Sequence, residues 1–237
     1  MLRVIYPAIV AILFLSCTIK DKKPEAIPVT AVDAYTPFYN QIREGKTLLK
    51  DGDLVVRSGN DMTSQLIKNF NKKDKSYSHA GIVFFQDGEP KVYHILAGGE
   101  NPGAKMIADS LERFCYPRHN TSFAVYRYNV DSAEINTMRV AVTNWYNEGV
   151  RFDSTFNLKS DDKMYCSEMI RKALARATKN RIIIATTKAS KAEVLLGATR
   201  LPLSVEYMSK LDLIPVDNLY MNPHCRLIAR FDFNPQK

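Results

Sequence analysis

The pair Asp87–Gly88, set between the apolar runs "HAGIVFF" and "KVYHILA", is the feature that most restricts what this chain can become. Residues of this type between two alternating segments call for a tight antiparallel hairpin, because both turn positions need a positive φ. With Asp87 and Gly88 as the loop, Gln86 faces Glu89, Val83 faces Val92, Gly81 faces His94 and His79 faces Leu96. Side chains alternate across a strand, so His79, Gly81, His94 and Leu96 share one face. The two histidines become diagonal neighbours with no Gly81 side chain between them. Pro90 cannot donate to a ladder, so its end of the strand must lie at an edge or the loop must be longer. A slip of one residue would send His94 to the opposite face. Either histidine alone is adequately explained as a hydrogen-bonded strand residue; a shared face weakens that explanation for both.

The segment "KMYCSEMIRKALARAT" supplies a thiol. Met169, Ile170, Ala173, Leu174 and Ala177 recur at helical spacing, with Asp161 or Asp162 available as a cap. Cys166 precedes Met169 and Ile170 by three and four residues, so it begins the inward face of the helix. In the first turn, unpaired amides and the helix dipole favour a thiolate. Such a cysteine is either a small buried hydrophobe or, given a base from the His79 strand, a nucleophile.

The remaining pattern is that of an α+β protein, with clustered strands in the middle and long helices flanking them. "TPFYNQIREG" reads as a short helix ended by Gly45, "GDLVVRSG" as a strand and "NDMTSQLIKNF" as a helix entered through Asn60 or Asp61. "GAKMIADSLERF" reads as a short strand running into a short helix, and "SFAVYRYNV" as an alternating strand. "DSAEINTMRVAVTNWYNEG" is a helix capped by Asp131 or Ser132 with Gly149 past its end. "LPLSVEYMSKLDLIPVDN" predicts a helix stopped before Pro215, and "CRLIARFDF" a closing strand. Between 179 and 200, "RIIIATT" reads as strand or coil and "KAEVLL" as helix.

Composition sets the outer bounds. The chain has 237 residues, 46% hydrophobic and 24% charged, with no composition break, which favours one large domain over 35–237. The net charge of +8 is spread out, and its densest cluster, "NKKDKS", reads as a solvated loop. No nucleic-acid module and no glycine-rich phosphate loop is present, so neither a nucleic acid nor a nucleotide cofactor is expected. Neither CxxC nor HxxxH occurs, so no zinc site is expected. The start, "MLRVIYPAIVAILFLSC", places Arg3 before an apolar run too short to span a bilayer comfortably. Its "LFLSC" ending resembles a bacterial lipoprotein signal. Residues 1–16 are then a signal peptide, Cys17 the lipidated residue and 17–34 a polar, proline-punctuated tether. Two or more acyl chains on Cys17 would hold the protein at a membrane of the bacterial cell envelope. Cys115 and Cys225 are left either as a disulfide or as separate thiols.

"GDLVVRSG", "YSHAGIV" and "YCSEMI", in that order, resemble the permuted papain-like amidases of the YaeF/YiiX group, relatives of NlpC-type peptidases and of lecithin:retinol acyltransferase. The likeness runs from Leu48 to Leu174, and more weakly through "LPLSVEYMSK". It implies a circularly permuted papain-like fold, a central antiparallel sheet carrying helices. It also implies Cys166 as nucleophile, His79 as general base and acid, and a polar third member on the next strand. That position holds His94, where many relatives carry glutamate. No metal or organic cofactor is implied. Tyr165, Ser58, Gly59 and Glu168 are the expected substrate-side residues, with Tyr165 lining the cleft and Glu168 bracing the "RSG" loop through Arg57; packing is the alternative for each. The expected activity is a membrane-tethered cysteine hydrolase cleaving an amide or ester of an N-acyl or lipid-like substrate. The alternatives are an endopeptidase of cell-wall peptides, and a catalytically silent lipoprotein that binds a lipid or peptide in the same cleft.

Overall fold

Turn chemistry, strand alternation and helix capping decide most of the local structure in the computed structural model, which describes residues 34–99 and 101–233. The expected signal peptide, Cys17 and nearly all of the tether lie outside these residues. The elements run α1 (Thr36–Leu48), β1 (Leu54–Gly59), α2 (Met62–Phe70), β2 (His79–Gln86), β3 (Glu89–Ile95), β4 (Met106–Asp109), α3 (Leu111–Phe114), β5 (Asn120–Tyr128) and α4 (Ser132–Glu148). They continue with β6 (Arg151–Phe152), β7 (Lys163–Met164), α5 (Cys166–Ala177), β8 (Thr187–Lys188), α6 (Lys191–Ala198), α7 (Val205–Lys210), β9 (Asp212–Leu213), α8 (Asp217–Tyr220) and β10 (Cys225–Asp232).

Six strands form one antiparallel sheet in the order β10-β5-β1-β2-β3-β4. The β2–β3 hairpin has the register that its turn dictates: Gln86 faces Glu89 and Val83 faces Val92. Asp87 (φ 52°) and Gly88 (φ 81°) both occupy the left-handed region. Pro90 is accommodated because β4 pairs with β3 only from Val92 onward. Its missing N–H points past the end of β4, where no ladder bond is lost.

The sheet is covered on both faces. On one face Leu54, Val56, Ala80, Ile82 and Phe84 pack with Met138, Val142 and Trp145 of α4 and with Met169, Ile170 and Leu174 of α5. On the other, Val55, Val83, Val92, Phe123 and Val125 meet Phe38 and Ile42 of α1 and Leu111 and Phe114 of α3. Each such fully buried apolar side chain contributes about 1.5–3 kcal/mol, which makes these two layers the main source of stability. Leu66, Phe70, Val194 and Met208 form a smaller cluster joining α2, α6 and α7. Helix starts follow their caps: Asp61 accepts from Ser64 N (2.9 Å), and Asp131 and Glu134 form a reciprocal capping box.

Three expectations change. Helix α1 runs on to Leu48 because Gly45 is a packing glycine and not a terminator; a Cβ there would sit 2.8 Å from the Phe123 ring. Helix α5 begins at Cys166, so neither Asp161 nor Asp162 caps it; Asp161 instead pairs with Lys172 (2.6 Å) and Arg176 (3.0 Å). The C-terminal helix ends at Lys210 and gives way to β9, which pairs with β8. "KAEVLL" falls in α6 as expected, while Arg181 to Thr186 form no strand although Ile182 and Ile184 are buried. Among the described residues no helix is long and apolar enough to cross a membrane.

Candidate active site

The hairpin brings its two histidines into contact. His79 Nε2 and His94 Nδ1 lie 2.9 Å apart. The approach depends on Gly81: a Cβ at that position would come within 2.5 Å of Val92 Cγ1 and 3.3 Å of His94 Cβ. His94 is almost fully buried, and its Nε2 reaches Asp109 Oδ2 (3.3 Å) at the end of β4. Asp109 Oδ1 in turn accepts from Arg113 Nε (3.0 Å), four residues on in α3. The Phe114 ring covers both imidazoles, with centroids 5.6 Å from His79 and 4.9 Å from His94. Arg57 lies against the same ring and donates to Phe114 O (3.0 Å). Burial, followed by the Arg57 charge and then His94, holds His79 well below the ordinary histidine value of 6.5, so the ring rests neutral. Nε2 faces His94, which leaves Nδ1 as the ring nitrogen not engaged by that contact.

Cys166 is the first residue of α5, on the layer that packs against β2. Its Sγ lies 3.8 Å from Ser167 Oγ, and the Ala80 N–H, one residue from His79, is also directed at it. The helix terminus does not produce a resting thiolate here. Burial pushes the thiol above its ordinary value, and the Ser167 hydroxyl, the Ala80 N–H and the amides at the helix start offset this only in part. Desolvation costs a buried anion more than one exposed turn of dipole returns. The resting pair is therefore a neutral thiol and a neutral imidazole.

Cys166 and His79 line one cavity of about 780 Å³. Its walls are mostly apolar: Ile67 and Phe70 from α2, Phe152 and Phe156 from the β6–β7 region, and Met208 and Ile214 from the C-terminal part. That last wall is fastened to the rest by specific bonds. Ile214 N donates to Tyr165 Oη (2.9 Å), and Val216 N to Asn71 Oδ1 (3.0 Å). Asp217 Oδ2 accepts from the amides of Lys72 (2.8 Å), Lys73 (2.6 Å) and Asp74 (3.2 Å), just ahead of β2.

Of the expected substrate-side residues, only Tyr165 lines this cavity. Ser58 is buried with its Oγ 3.2 Å from Lys68 Nζ, and Gly59 N donates to Ser78 Oγ (3.0 Å). Glu168 does not brace Arg57. It is fully buried beside its own helix, accepting from Tyr165 N (3.4 Å) and pairing with Lys172 (2.8 Å). Cys115 and Cys225 are both free thiols; burial pushes Cys115 up and Cys225 up to about 12. Asp109 and Arg113 escaped the sequence reading. The "KMIAD" strand was legible, but nothing in its own residues says that it lies beside His94. Among the described residues no group of three or more His, Cys, Asp or Glu side chains is arranged to hold a metal ion.

Comparison with known proteins bears on the family and the fold. No curated protein matches the chain. Among solved structures, YiiX of Escherichia coli O157:H7, described as a metalloprotein, superposes with a TM-score of 0.62 at 16% identity, over 77% of this chain and 97% of that one. At that identity the likeness speaks for the fold alone. Residues 48–201 match the family described as "Permuted papain-like amidase enzyme, YaeF/YiiX, C92 family". With the helix-borne cysteine following the strand-borne histidine in sequence and sharing a cavity with it, the chain belongs to the permuted papain-like cysteine amidases of the YaeF/YiiX family.

Proposed function

We propose that the chain hydrolyses an amide or ester of a long-chain acyl group, with Cys166 as nucleophile, His79 as base and acid, and His94 orienting His79. One observation carries this reading: the thiol and the imidazole open onto a single large cavity with mostly apolar walls. Its volume is within the range of about 300–1,000 Å³ typical of small-molecule sites, and its lining suits hydrocarbon. Wall peptides, polar and charged, would leave that lining unsatisfied.

In the proposed reaction His79 Nδ1 takes the Cys166 proton as Sγ bonds to the acyl carbon. The Cys166 N–H, at the helix start and without an intrahelical partner, donates to the oxyanion. The carbon–nitrogen or carbon–oxygen bond then breaks, and His79 returns its proton to the leaving group. Water attacks the thioester, its proton passes through His79 to the departing sulfur, and the free acid leaves. His94, 2.9 Å from His79 Nε2, holds that ring in orientation between these transfers. The N-terminal signal and a lipid on Cys17 would place this domain at a membrane of the bacterial envelope, next to lipid substrates. A Cys17→Ser substitution is expected to release the protein from the membrane fraction.

Incubating the full chain with N-acyl amino acids, phospholipids and wall peptides tests the reading. Free fatty acid released by the wild type and not by Cys166→Ala supports it. Release of amino acids from wall peptides alone would favour the peptidase, and no turnover of any substrate would favour a binding protein.

A further inference from the structure

The hydrogen-bonded line through the site does not stop at His94; it continues through Asp109 to Arg113. Each junction holds one proton, and its direction is fixed wherever one partner cannot donate. An ionised carboxylate only accepts. Arg113 Nε lies 3.0 Å from Asp109 Oδ1, and a carboxyl paired with a guanidinium is ionised near neutral pH. Asp109 Oδ2 therefore accepts, and the proton lies on His94 Nε2. In a neutral ring His94 Nδ1 is then bare and must accept from His79 Nε2–H. His79 is left with a bare Nδ1, the only form in which it can remove a proton from Cys166.

We propose that Asp109 is a positioning residue that, acting through His94, fixes His79 in the tautomer that serves as the base. The inference rests on the reading of His79 as the base of Cys166. A donor in place of Asp109 Oδ2 would reverse the line: His94 would carry its proton on Nδ1, and His79 would present an N–H to the thiol. Arg113 makes this reversal testable. In Asp109→Asn the amide oxygen is claimed by the Arg113 donor, which turns the NH₂ toward His94 Nε2. Removing Arg113 as well frees the amide to turn its oxygen back.

The test reads ring tautomers from the ¹⁵N shifts of His79 and His94, together with the rate of Cys166 alkylation by iodoacetamide. In the wild type and in Asp109→Glu both rings should carry their proton on Nε2. In Asp109→Asn both should reverse, and alkylation near neutral pH should fall by on the order of 10²–10⁴-fold, the usual worth of a positioned base. The double variant Asp109→Asn/Arg113→Ala should regain part of both, which a merely structural role for Asp109 would not give. A proton on His79 Nδ1 in the wild type, or unchanged tautomers and rate in Asp109→Asn, overturns the inference. A wild-type Cys166 no more reactive than Cys225 would instead overturn the base assignment, and the ring shifts would still decide the role of Asp109.

Discussion

Burial raises the Cys166 thiol and lowers the His79 imidazole, so in the proposed mechanism the reactivity of the two resides in proton transfer and not in a standing charge. Alkylation of Cys166 near neutral pH should therefore depend on His79, and His79→Ala should slow it by about 10²-fold or more, measured by mass spectrometry of the Cys166 peptide. Cys115 and Cys225 serve as internal controls, since burial suppresses both thiols. The depressed His79 value also bears on stability. Between that value and 6.5 the unfolded chain binds a proton that the folded chain refuses. The contribution of His79 is thus complete above about pH 6.5 and is lost as pH falls toward the depressed value, with a slope of up to about 1.4 kcal/mol per pH unit. Denaturant midpoints should drop more steeply with acid in the wild type than in His79→Gln. At this scale the sequence exposed His79, His94 and Cys166, because turn chemistry and helical periodicity fix their faces. It concealed Asp109, whose position beside His94 depends on which sheet edge β4 joins. It also concealed the thiol's protonation, where burial outweighs the helix dipole.

Elements obey their local signals except where packing overrides them, and α1 is the clearest case. Helix propensity alone favours alanine over Gly45 by about 1 kcal/mol. Packing decides otherwise: the added Cβ would meet the Phe123 ring at 2.8 Å and the Phe231 ring at 3.1 Å, and those two rings are themselves stacked at 4.7 Å. Gly45→Ala should lower stability by about 1–3 kcal/mol in denaturant unfolding, the usual cost of overpacking. The segment ahead of β2 depends likewise on a distant carboxylate. Asp217 is fully buried and holds three consecutive amides, so Asp217→Ala should cost at least about 2 kcal/mol. Hydrogen exchange should accelerate locally at residues 72–74 and in the approach to His79. Neither effect is written in local sequence: Gly45 looks like a helix stop, and Asp217 pairs with residues more than 140 positions away.

The whole molecule is a six-stranded antiparallel sheet with helices on both faces and a cavity walled by α2, the β6–β7 region and the C-terminal segment. The mixed class and the β2–β3 hairpin were legible because hairpin and capping signals are short-range, whereas the antiparallel arrangement of the whole sheet was implied by the family resemblance. The cavity was not, since its far wall is set by tertiary bonds such as Val216 to Asn71. If that cavity seats an acyl chain, Ile67→Trp should shift the preference in kcat/KM toward shorter chains while leaving iodoacetamide labelling of Cys166 unchanged. Catalysis through Cys166 is tested by the mass of the full-length enzyme during turnover of a long-chain N-acyl amino acid. A transient thioester on Cys166 is expected, absent from Cys166→Ser and strongly reduced in His79→Ala. Turnover that proceeds undiminished in Cys166→Ser, with no acyl adduct on the wild type, would contradict it.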